Sequence, residues 1–163
     1  MLKFFSYLPK GLTKRLVQGQ ALLRNPYCLG VRVLVRNADG AVLLVRHSYL
    51  PGWYLPGGGV DKGETMATAA ARELVEEVGI RCSSPPKLLG VYLNREAFGR
   101  DHIGFYEAVS WTETDDFMQP NEEILEAGFF ALDQLPEATT AATRRRLSEL
   151  ARGVLGATED GIW

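Results

Sequence analysis

Residues 58–80 read GGVDKGETMATAAARELVEEVGI, and this stretch decides the fold that we expect for the 163-residue chain. Its centre is rich in alanine, the residue with the best helix propensity. Thr65 has the side chain of a helix N-cap, and Gly79 suits the position after the last turn, where a left-handed conformation is common. We therefore predict a helix over residues 65–78.

Three glutamates of this helix, Glu73, Glu76 and Glu77, are predicted to share one side of it. Residues three and four positions apart are neighbours on a helix surface. Five apolar residues fall on the other side, which we expect to face the core: Ala67, Ala71, Leu74, Val75 and Val78. Like charges at these spacings oppose the helix by roughly 0.2–0.5 kcal/mol a pair, and they also lie near the negative end of its dipole.

A divalent cation between the carboxylates would compensate for this repulsion. Carboxylate oxygens are hard ligands that suit Mg²⁺ or Mn²⁺ better than they suit zinc. Mg²⁺ is commonly shared between one or two carboxylates and the phosphates of a substrate. The alternative is an acidic face exposed to solvent and neutralised in part by Arg72 and Lys62.

Glycines precede the acidic helix at positions 57, 58, 59 and 63, and they allow sharp turns and a close approach of the backbone to a ligand. The segment is not a Walker loop, because Lys62 is followed by Gly63 rather than by Ser or Thr. It is not a G-x-G-x-x-G fingerprint either, because Lys62 stands where the third glycine belongs. A glycine loop therefore leads directly into a helix with an acidic side.

The spacing of these residues is similar to the Nudix box at every fixed position. The order is Gly58, five residues, Glu64, seven residues, Arg72-Glu73-Leu74, one residue, Glu76-Glu77, one residue, and Gly79-Ile80. The preceding W-x-L-P-G-G of residues 53–58 also resembles that family. The resemblance implies an α/β fold, the Nudix-type α/β/α sandwich with a mixed β-sheet between helices.

The order of elements along the chain is consistent with that fold. Two strands are predicted over residues 31–35 and 42–45, joined by a turn at Asn37-Ala38-Asp39-Gly40. We expect a second strand pair within residues 87–96 and 101–111, a strand within residues 123–132, and a second helix that ends near Arg152. A single domain is predicted over residues 27–163, preceded by an arm of residues 1–26 that packs on this domain or on a second subunit.

The resemblance also implies a set of metal ligands. Glu76, Glu77 and the carbonyl of Gly57 are expected to bind the metal, and Glu73 either binds it or acts as the base that activates water. Some family members supply a further glutamate from beyond the box. Within the acidic stretch after residue 120, Glu123 is our candidate for that position.

Other residues are expected to act beside the metal. Arg72 would orient the catalytic Glu73 through a charge-assisted hydrogen bond, bidentate in its strongest form. Glu64 would support the loop and the waters around the metal.

Five residues are candidates for contacts with a substrate: His47, Tyr49, Trp53, Gly58 and Phe98. The aromatic residues could stack on a base, and Gly58 allows the backbone to bend. The alternative is a structural role, in which the histidine is hydrogen-bonded and the aromatic rings belong to the core.

The composition argues against several classes of partner. The chain has 18 Lys and Arg against 20 Asp and Glu, a net charge of −2, which disfavours an extended nucleic-acid surface. The run Arg144-Arg145-Arg146 is predicted to be the solvated face of the second helix.

No apolar run is long enough to cross a bilayer, and Cys28 and Cys82 are expected to be reduced thiols of a cytoplasmic protein. The arm is compatible with a homodimer.

We expect a pyrophosphohydrolase that cleaves the diphosphate of a nucleoside diphosphate derivative by attack of a metal-bound water, with Mg²⁺ as cofactor and Mn²⁺ able to replace it. No mark of a subfamily is satisfied. Gly128 stands where an 8-oxo-dGTP hydrolase tends to have a glutamate, and residues 94–96 lack the proline of ADP-ribose hydrolases. The alternatives are a Nudix-fold domain that binds a nucleotide without cleaving it, and an isomerase of prenyl diphosphates, whose further catalytic residues are not identifiable here.

Overall fold

The computed structural model describes residues 27–95, 101–154 and 161–163. In chain order the elements are β1 (Cys28–Val35), β2 (Val42–His47), α1 (Met66–Val78), β3 (Ile80–Cys82), β4 (Lys87–Asn94), β5 (Asp101–Ala108), β6 (Trp111–Glu113), β7 (Ile124–Phe130) and α2 (Ala141–Ala151). The predicted arm over residues 1–26 and the candidate residue Phe98 lie outside the described residues. The predicted helices and long strands are present, whereas the sequence analysis missed the short strands β3 and β6.

The principal sheet is mixed, as predicted. Its order is β1-β5-β4, with β1 and β5 parallel and β5 and β4 antiparallel. Two further antiparallel pairs join β2 to β7 and β3 to β6. The predicted pairing between the strands that contain residues 87–96 and 101–111 is therefore correct.

The predicted hairpin of β1 and β2 is correct at its turn but not along its strands. The Asn37 Oδ1 accepts hydrogen bonds from the Asp39 and Ala41 N–H groups at 3.1 and 2.9 Å, and Arg36 and Val42 form one isolated bridge. Beyond that bridge the two strands separate. The free edge of β1 is instead occupied by the segment that leads into α1, because the Val31 and Val33 N–H groups donate to the Gly58 and Pro56 carbonyls at 2.9 and 2.8 Å.

Helix α1 begins and ends where the sequence predicts. The Thr65 side chain accepts a hydrogen bond from the Thr68 N–H at 3.1 Å, and Gly79 has a left-handed φ of 64°. The buried side of the helix differs from the expected one, because Val75 is exposed whereas Glu73 and Glu77 are buried. Two of the three glutamates therefore face the interior, where the sequence analysis had expected only apolar side chains.

Helices α1 and α2 cover opposite faces of the sheet, which confirms the predicted α/β/α layers. One core cluster joins Val31, Val33 and Val35 of β1 to α1. Because side chains alternate along a strand, Leu34 of β1 lies in the other cluster, with Leu147 of α2. No helix among residues 27–95, 101–154 and 161–163 has the length and apolar character needed to span a membrane.

Trp53 belongs to the core cluster beneath α2. Its side chain is buried, and its ring lies edge-to-face against Phe130 with centroids 5.0 Å apart. The suggestion that Trp53 stacks on a base is thus wrong for this structure, and the alternative, a place in the core, is correct.

Arg146 also departs from expectation. Arg144 and Arg145 are exposed, as predicted, but Arg146 is fully buried. Its Nη2 lies 2.8 Å from Oε1 of the buried Glu149, and its guanidinium carbon is 4.3 Å from the centre of the Tyr92 ring. The carboxylate one helical turn away and the aromatic face offset part of the cost of burying this charge, while the three guanidinium nitrogens have no hydrogen-bond partner among the described residues.

We predict that Arg146→Ala lowers the free energy of unfolding by about 3–5 kcal/mol, because it leaves the Glu149 carboxylate buried without its partner. Urea denaturation measures the loss. The neighbouring Arg145→Ala, on the exposed face of the same helix, should change stability by less than about 1 kcal/mol. Equal losses in the two variants would contradict the structural assignment, whereas the double change Arg146→Met with Glu149→Leu should recover most of the stability.

Candidate active site

The glycine loop, residues 56–59, lies between β1 and α1 and touches both. Gly57 has a φ of 132°, and a Cβ at this position would be 2.3 Å from the Val31 carbonyl oxygen. A Cβ on Gly58 would be 2.6 Å from the Glu73 Oε1. Position 57 therefore requires glycine, whereas a side chain at position 58 would displace the Glu73 carboxylate, against which the loop backbone lies directly.

Glu77 is the most enclosed carboxylate of the site. Its Oε2 accepts a hydrogen bond of 2.7 Å from the Gly57 N–H. Burial raises the pKa of the Glu77 carboxyl to about 8, and the charges of Glu73 and Glu123 act in the same direction, while Arg32 and the Gly57 N–H oppose them. The charged form of Glu77 thus lacks full compensation within the described residues.

Glu73 lies one turn earlier on α1 and is also buried. Burial is the main cause of its raised pKa, which the hydrogen bond from Arg72 partly offsets. The Arg72 Nη1 donates to the Glu73 Oε1 at 2.8 Å. The arginine therefore fixes one oxygen of Glu73, the contact that the sequence analysis expected.

Arg72 has its bidentate partner elsewhere, however. Its Nε and Nη2 donate to the two carboxylate oxygens of Glu64, each at 3.0 Å, so the expectation of a bidentate pair with Glu73 is corrected. Nη2 also donates to the Gly59 carbonyl at 2.9 Å. These bonds raise the pKa of the Arg72 guanidinium and lower that of the Glu64 carboxyl. Glu64 acts on the site by holding Arg72 between the loop and the helix.

Glu76 is exposed, and its Oε2 accepts a hydrogen bond of 2.9 Å from the Arg72 Nη1. The same Arg72 nitrogen donates to the Glu73 Oε1 at 2.8 Å, so the Arg72 guanidinium lies between these two carboxylates. Among the side chains that the structure describes, no three acidic, histidine or cysteine residues are close enough together to hold a metal ion as they stand. The oxygen donors that do meet are the glycine-loop backbone, Glu73 and Glu77.

Glu123 and Tyr49 lie at the rim of the site. Both are exposed, and the charge of Glu123 raises the pKa of Glu73, Glu77 and Tyr49. The Glu123 carboxylate is therefore within electrostatic reach of the two buried glutamates, although it comes from the turn before β7. The Tyr49 ring lies 5.3 Å from the His47 ring, centroid to centroid.

His47 is enclosed behind Glu77 instead of lining a surface. Its Nδ1 is 3.7 Å from the Glu77 Oε1, and neither ring nitrogen has a hydrogen-bond partner within the described part of the chain. Burial and the nearby Arg32 lower the pKa of the imidazole to about 4. The ring is therefore neutral at pH 7 and, as placed here, it is not a surface contact for substrate.

Arg32 is the residue of the site that the sequence analysis missed. It lies in the middle of β1, and its Nη1 donates to the carbonyls of Leu55 and Gly57 at 2.9 and 2.5 Å. The signal in the sequence was a charged residue inside the apolar run VRVLV of residues 31–35. Such a run predicts a strand buried on both faces, where an arginine needs a specific partner.

The donors of this site fit a divalent cation. Gly57, Glu73 and Glu77 offer only oxygen atoms, the donors that Mg²⁺ and Mn²⁺ prefer. The raised pKa values of the two buried carboxyls indicate that their charged forms are destabilised, and a bound cation would stabilise those forms. A cationic group, the Arg32 guanidinium, already lies against the Gly57 carbonyl.

Comparison with known proteins assigns the family. A family model described as the NUDIX domain matches residues 26–151. The chain belongs to the Nudix family. The structure of a MutT NUDIX hydrolase from Burkholderia pseudomallei is similar to this chain with a TM-score of 0.65 at 30% identity, over 77% of this chain and 99% of that one.

Two curated relatives carry the names of enzymes. A putative 8-oxo-dGTP diphosphatase of Bacillus subtilis (strain 168) is 39% identical over 79 residues, which cover 48% of this chain and only 52% of that protein. An RNA pyrophosphohydrolase of Brucella abortus (strain 2308) is 32% identical over 133 residues, 68% of this chain and 73% of that protein. Together these matches confirm, at the level of the family, the predicted class of enzyme, a hydrolase of phosphoric anhydrides.

We predict that Gly58→Ala lowers turnover of a Nudix substrate by about 100-fold, because the new Cβ displaces the Glu73 carboxylate and small misplacements of a catalytic group have effects of this size. The fold should survive, since the displaced atoms are the end of a flexible side chain. Steady-state kinetics and thermal melting measure the two effects. Gly59→Ala is the matched control, because a Cβ there meets no atom of the described residues within 4 Å, and equal losses in both variants would refute the explanation.

We also predict that the metal-free protein loses stability between pH 6.5 and pH 8. In this window the folded protein retains a proton on Glu77, whose pKa is about 8, which the unfolded chain has already released, so stability falls as the pH rises. His47, with its pKa lowered from 6.5 to about 4, acts in the opposite sense, but only below pH 6.5.

Melting temperatures measured across this pH range in the presence of a chelator test whether stability falls as the pH rises. Glu77→Gln should flatten the decline, because the amide has no proton to lose, whereas Glu76→Gln, a change at an exposed position, should follow the wild type. Added Mg²⁺ should stabilise the wild type more than Glu77→Gln. Parallel pH curves for all three proteins would show that the buried charge has no such effect.

Proposed function

We propose that the chain is a divalent-metal-dependent pyrophosphohydrolase that cleaves the diphosphate of a nucleoside diphosphate derivative. The observation that carries the proposal is the burial of Glu73 and Glu77 against the glycine-loop backbone, with raised pKa values for both carboxyls. Buried carboxylates without full compensation are costly, and such perturbed groups concentrate at functional sites.

Mg²⁺ is the proposed cofactor, with Mn²⁺ able to replace it. The Gly57 carbonyl and the Glu77 carboxylate would hold the ion, joined by Glu76 once it leaves Arg72, and by Glu123 from the turn before β7. Glu73 would be a further ligand only if it is not the base. When bound, the ion would neutralise charge on the diphosphate oxygens and make a water more acidic. The exposure of Glu76 and Glu123 supports this assignment, because exposed side chains can reorient at little cost.

Glu73 is the proposed base of the reaction. Arg72 engages its Oε1 at 2.8 Å, so Oε2 would take the proton of the attacking water. A positioned base of this kind contributes about 10²- to 10⁴-fold. Arg72 is in turn held by Glu64, so the pair fixes the direction of the Glu73 carboxylate while the nucleotide is in place.

A Nudix-fold domain that binds a nucleotide without cleaving it is the second candidate. A pure binding domain has little need of buried carboxylates whose charged forms are destabilised. The intact arrangement of Glu73, Glu77 and Arg72 therefore favours the enzyme. The prenyl diphosphate isomerase needs further catalytic residues that neither the sequence nor the site offers.

The relatives differ in the substrates for which they are named, 8-oxo-dGTP for one and RNA for the other, so the match does not choose between them. We propose a small nucleotide, because a net charge of −2 gives little support to a long RNA contact. A cytoplasmic location is also proposed, supported by the free thiols of Cys28 and Cys82. The single domain, the arm and the homodimer stay predictions.

A panel of phosphoric anhydrides tests the proposed function. We expect release of phosphate, pyrophosphate or a nucleoside monophosphate from at least one of 8-oxo-dGTP, unmodified nucleoside triphosphates, ADP-ribose and nucleotide sugars, in the presence of Mg²⁺ or Mn²⁺. A short RNA with a 5′ triphosphate is included, and preference for it would replace the small nucleotide in the proposal.

Glu77→Gln supplies the matched control. Turnover should fall by orders of magnitude without loss of the fold, since glutamine can still accept the hydrogen bond from the Gly57 N–H. Wild-type activity in this variant would reject the assigned site. Stabilisation of the protein by a nucleotide with no product from any substrate would favour the binding domain.

A further inference from the structure

A cavity of about 410 Å³ lies on the α2 side of β1. Its wall includes the aromatic rings of Tyr54 and Trp163, the apolar side chain of Ile103, and the polar side chains of Asn94 and Thr143. This volume is within the range of small-molecule sites, roughly 300–1,000 Å³. Aromatic and apolar surfaces combined with a few polar groups suit a flat heterocycle such as a nucleobase.

Arg32 joins this cavity to the glycine loop. The Arg32 side chain lines the cavity. Its Nη1 also donates hydrogen bonds to the carbonyls of Leu55 and Gly57, which belong to the segment that leads into α1. The positive charge of Arg32 also reaches Glu77, where it opposes the rise in pKa that burial causes. One side chain is therefore within reach of both the proposed metal ligands and the space where an organic group would lie.

The present partner of Arg32 conflicts with metal binding. The Gly57 carbonyl that accepts its N–H is also the backbone oxygen proposed to bind the cation. A guanidinium and a divalent ion at one carbonyl repel each other, so binding of the ion disfavours the present position of the arginine. A freed guanidinium beside a diphosphate has an obvious acceptor, because its planar fork matches two phosphate oxygens.

We infer that Arg32 exchanges the Gly57 carbonyl for a substrate phosphate when the cation binds, and that it thereby selects nucleotides whose nucleoside occupies the α2-side cavity. The inference rests on the proposed function. In this arrangement Arg32 acts in place of the cation in the metal-free protein and becomes a substrate-binding residue in the loaded one. It contacts the phosphate that links the nucleoside to the scissile anhydride.

The competing explanation is purely structural: Arg32 holds residues 55–57 against β1 and has no role toward substrate. The two explanations predict opposite signs for metal affinity. If Arg32 competes with the cation, its removal tightens metal binding in the absence of nucleotide. If it only supports the loop, its removal loosens the Gly57 carbonyl, and metal binding weakens.

The experiment compares Arg32→Ala and Arg32→Gln with the wild type. Titration of each protein with Mn²⁺ alone, followed by electron paramagnetic resonance, gives the dissociation constant of the metal. Kinetics with the best nucleotide of the panel give KM and kcat. We expect tighter Mn²⁺ binding in both variants, and a KM increased by about 10- to 100-fold, the size expected for a hydrogen-bonded charge, with a much smaller change in kcat.

Arg36→Ala is the matched control, because Arg36 follows β1 directly but pairs with Glu107 at the surface. It should change neither Mn²⁺ affinity nor KM. If Arg32→Ala fails to fold, Arg32→Gln, which keeps an N–H donor for the carbonyls without the charge, still tests the sign. Weaker or unchanged Mn²⁺ binding, or an unchanged KM, would overturn the inference.

Failure of the proposed function gives a different result. In that case the wild type has no turnover on any substrate of the panel, whereas the Mn²⁺ titration still reports whether Arg32 competes for the Gly57 carbonyl. An active wild type whose Arg32 variants bind metal and nucleotide normally would reject the inference alone.

Discussion

The hydrogen bond from the Gly57 N–H to the Glu77 carboxylate connects the glycine loop to α1, and the geometry of the site depends on it. The loop can lie this close because neither of two successive positions carries a side chain. A Cβ on Gly57 would collide with β1, and a Cβ on Gly58 would collide with Glu73. The loop thus lies in contact with a strand on one side and a carboxylate on the other.

This proximity has an energetic cost in the metal-free protein. Glu77 and Glu73 are buried in a place where the described residues compensate their charged forms only in part, as their raised pKa values indicate. Burying these two glutamates therefore lowers the free energy of unfolding relative to a helix with an entirely apolar buried face. Stability sacrificed at a site in this manner is typical of groups preorganised for a ligand. A divalent cation bound at the proposed site would recover this loss, so affinity for the metal and stability would be linked.

Local signals made much of the fold predictable, and tertiary contacts explain what was not. The caps at Thr65 and Gly79 and the spacing of the box depend on neighbours within a few residues. The second edge of β1 could not be predicted, because its partner is the glycine loop and not β2. The burial of Arg146 and Trp53 is likewise set by distant aromatic residues. Arg32 was overlooked because its partners are backbone carbonyls, which leave no mark in a sequence.

The alternation of β1 places the box residues and the cavity beside α2 on opposite sides of one strand. Val31 and Val33 face α1 and the box residues, whereas Arg32 and Leu34 lie on the side of α2. The cavity on that second side is lined from dispersed segments around Leu50, Asn94, Thr140 and Trp163, all outside the box. These segments can change without disturbing the carboxylates, because the strand separates the two layers. Relatives that are 39% and 32% identical to this chain are named for different substrates. In the inference drawn above, selectivity would come from a residue that reaches across the strand, Arg32.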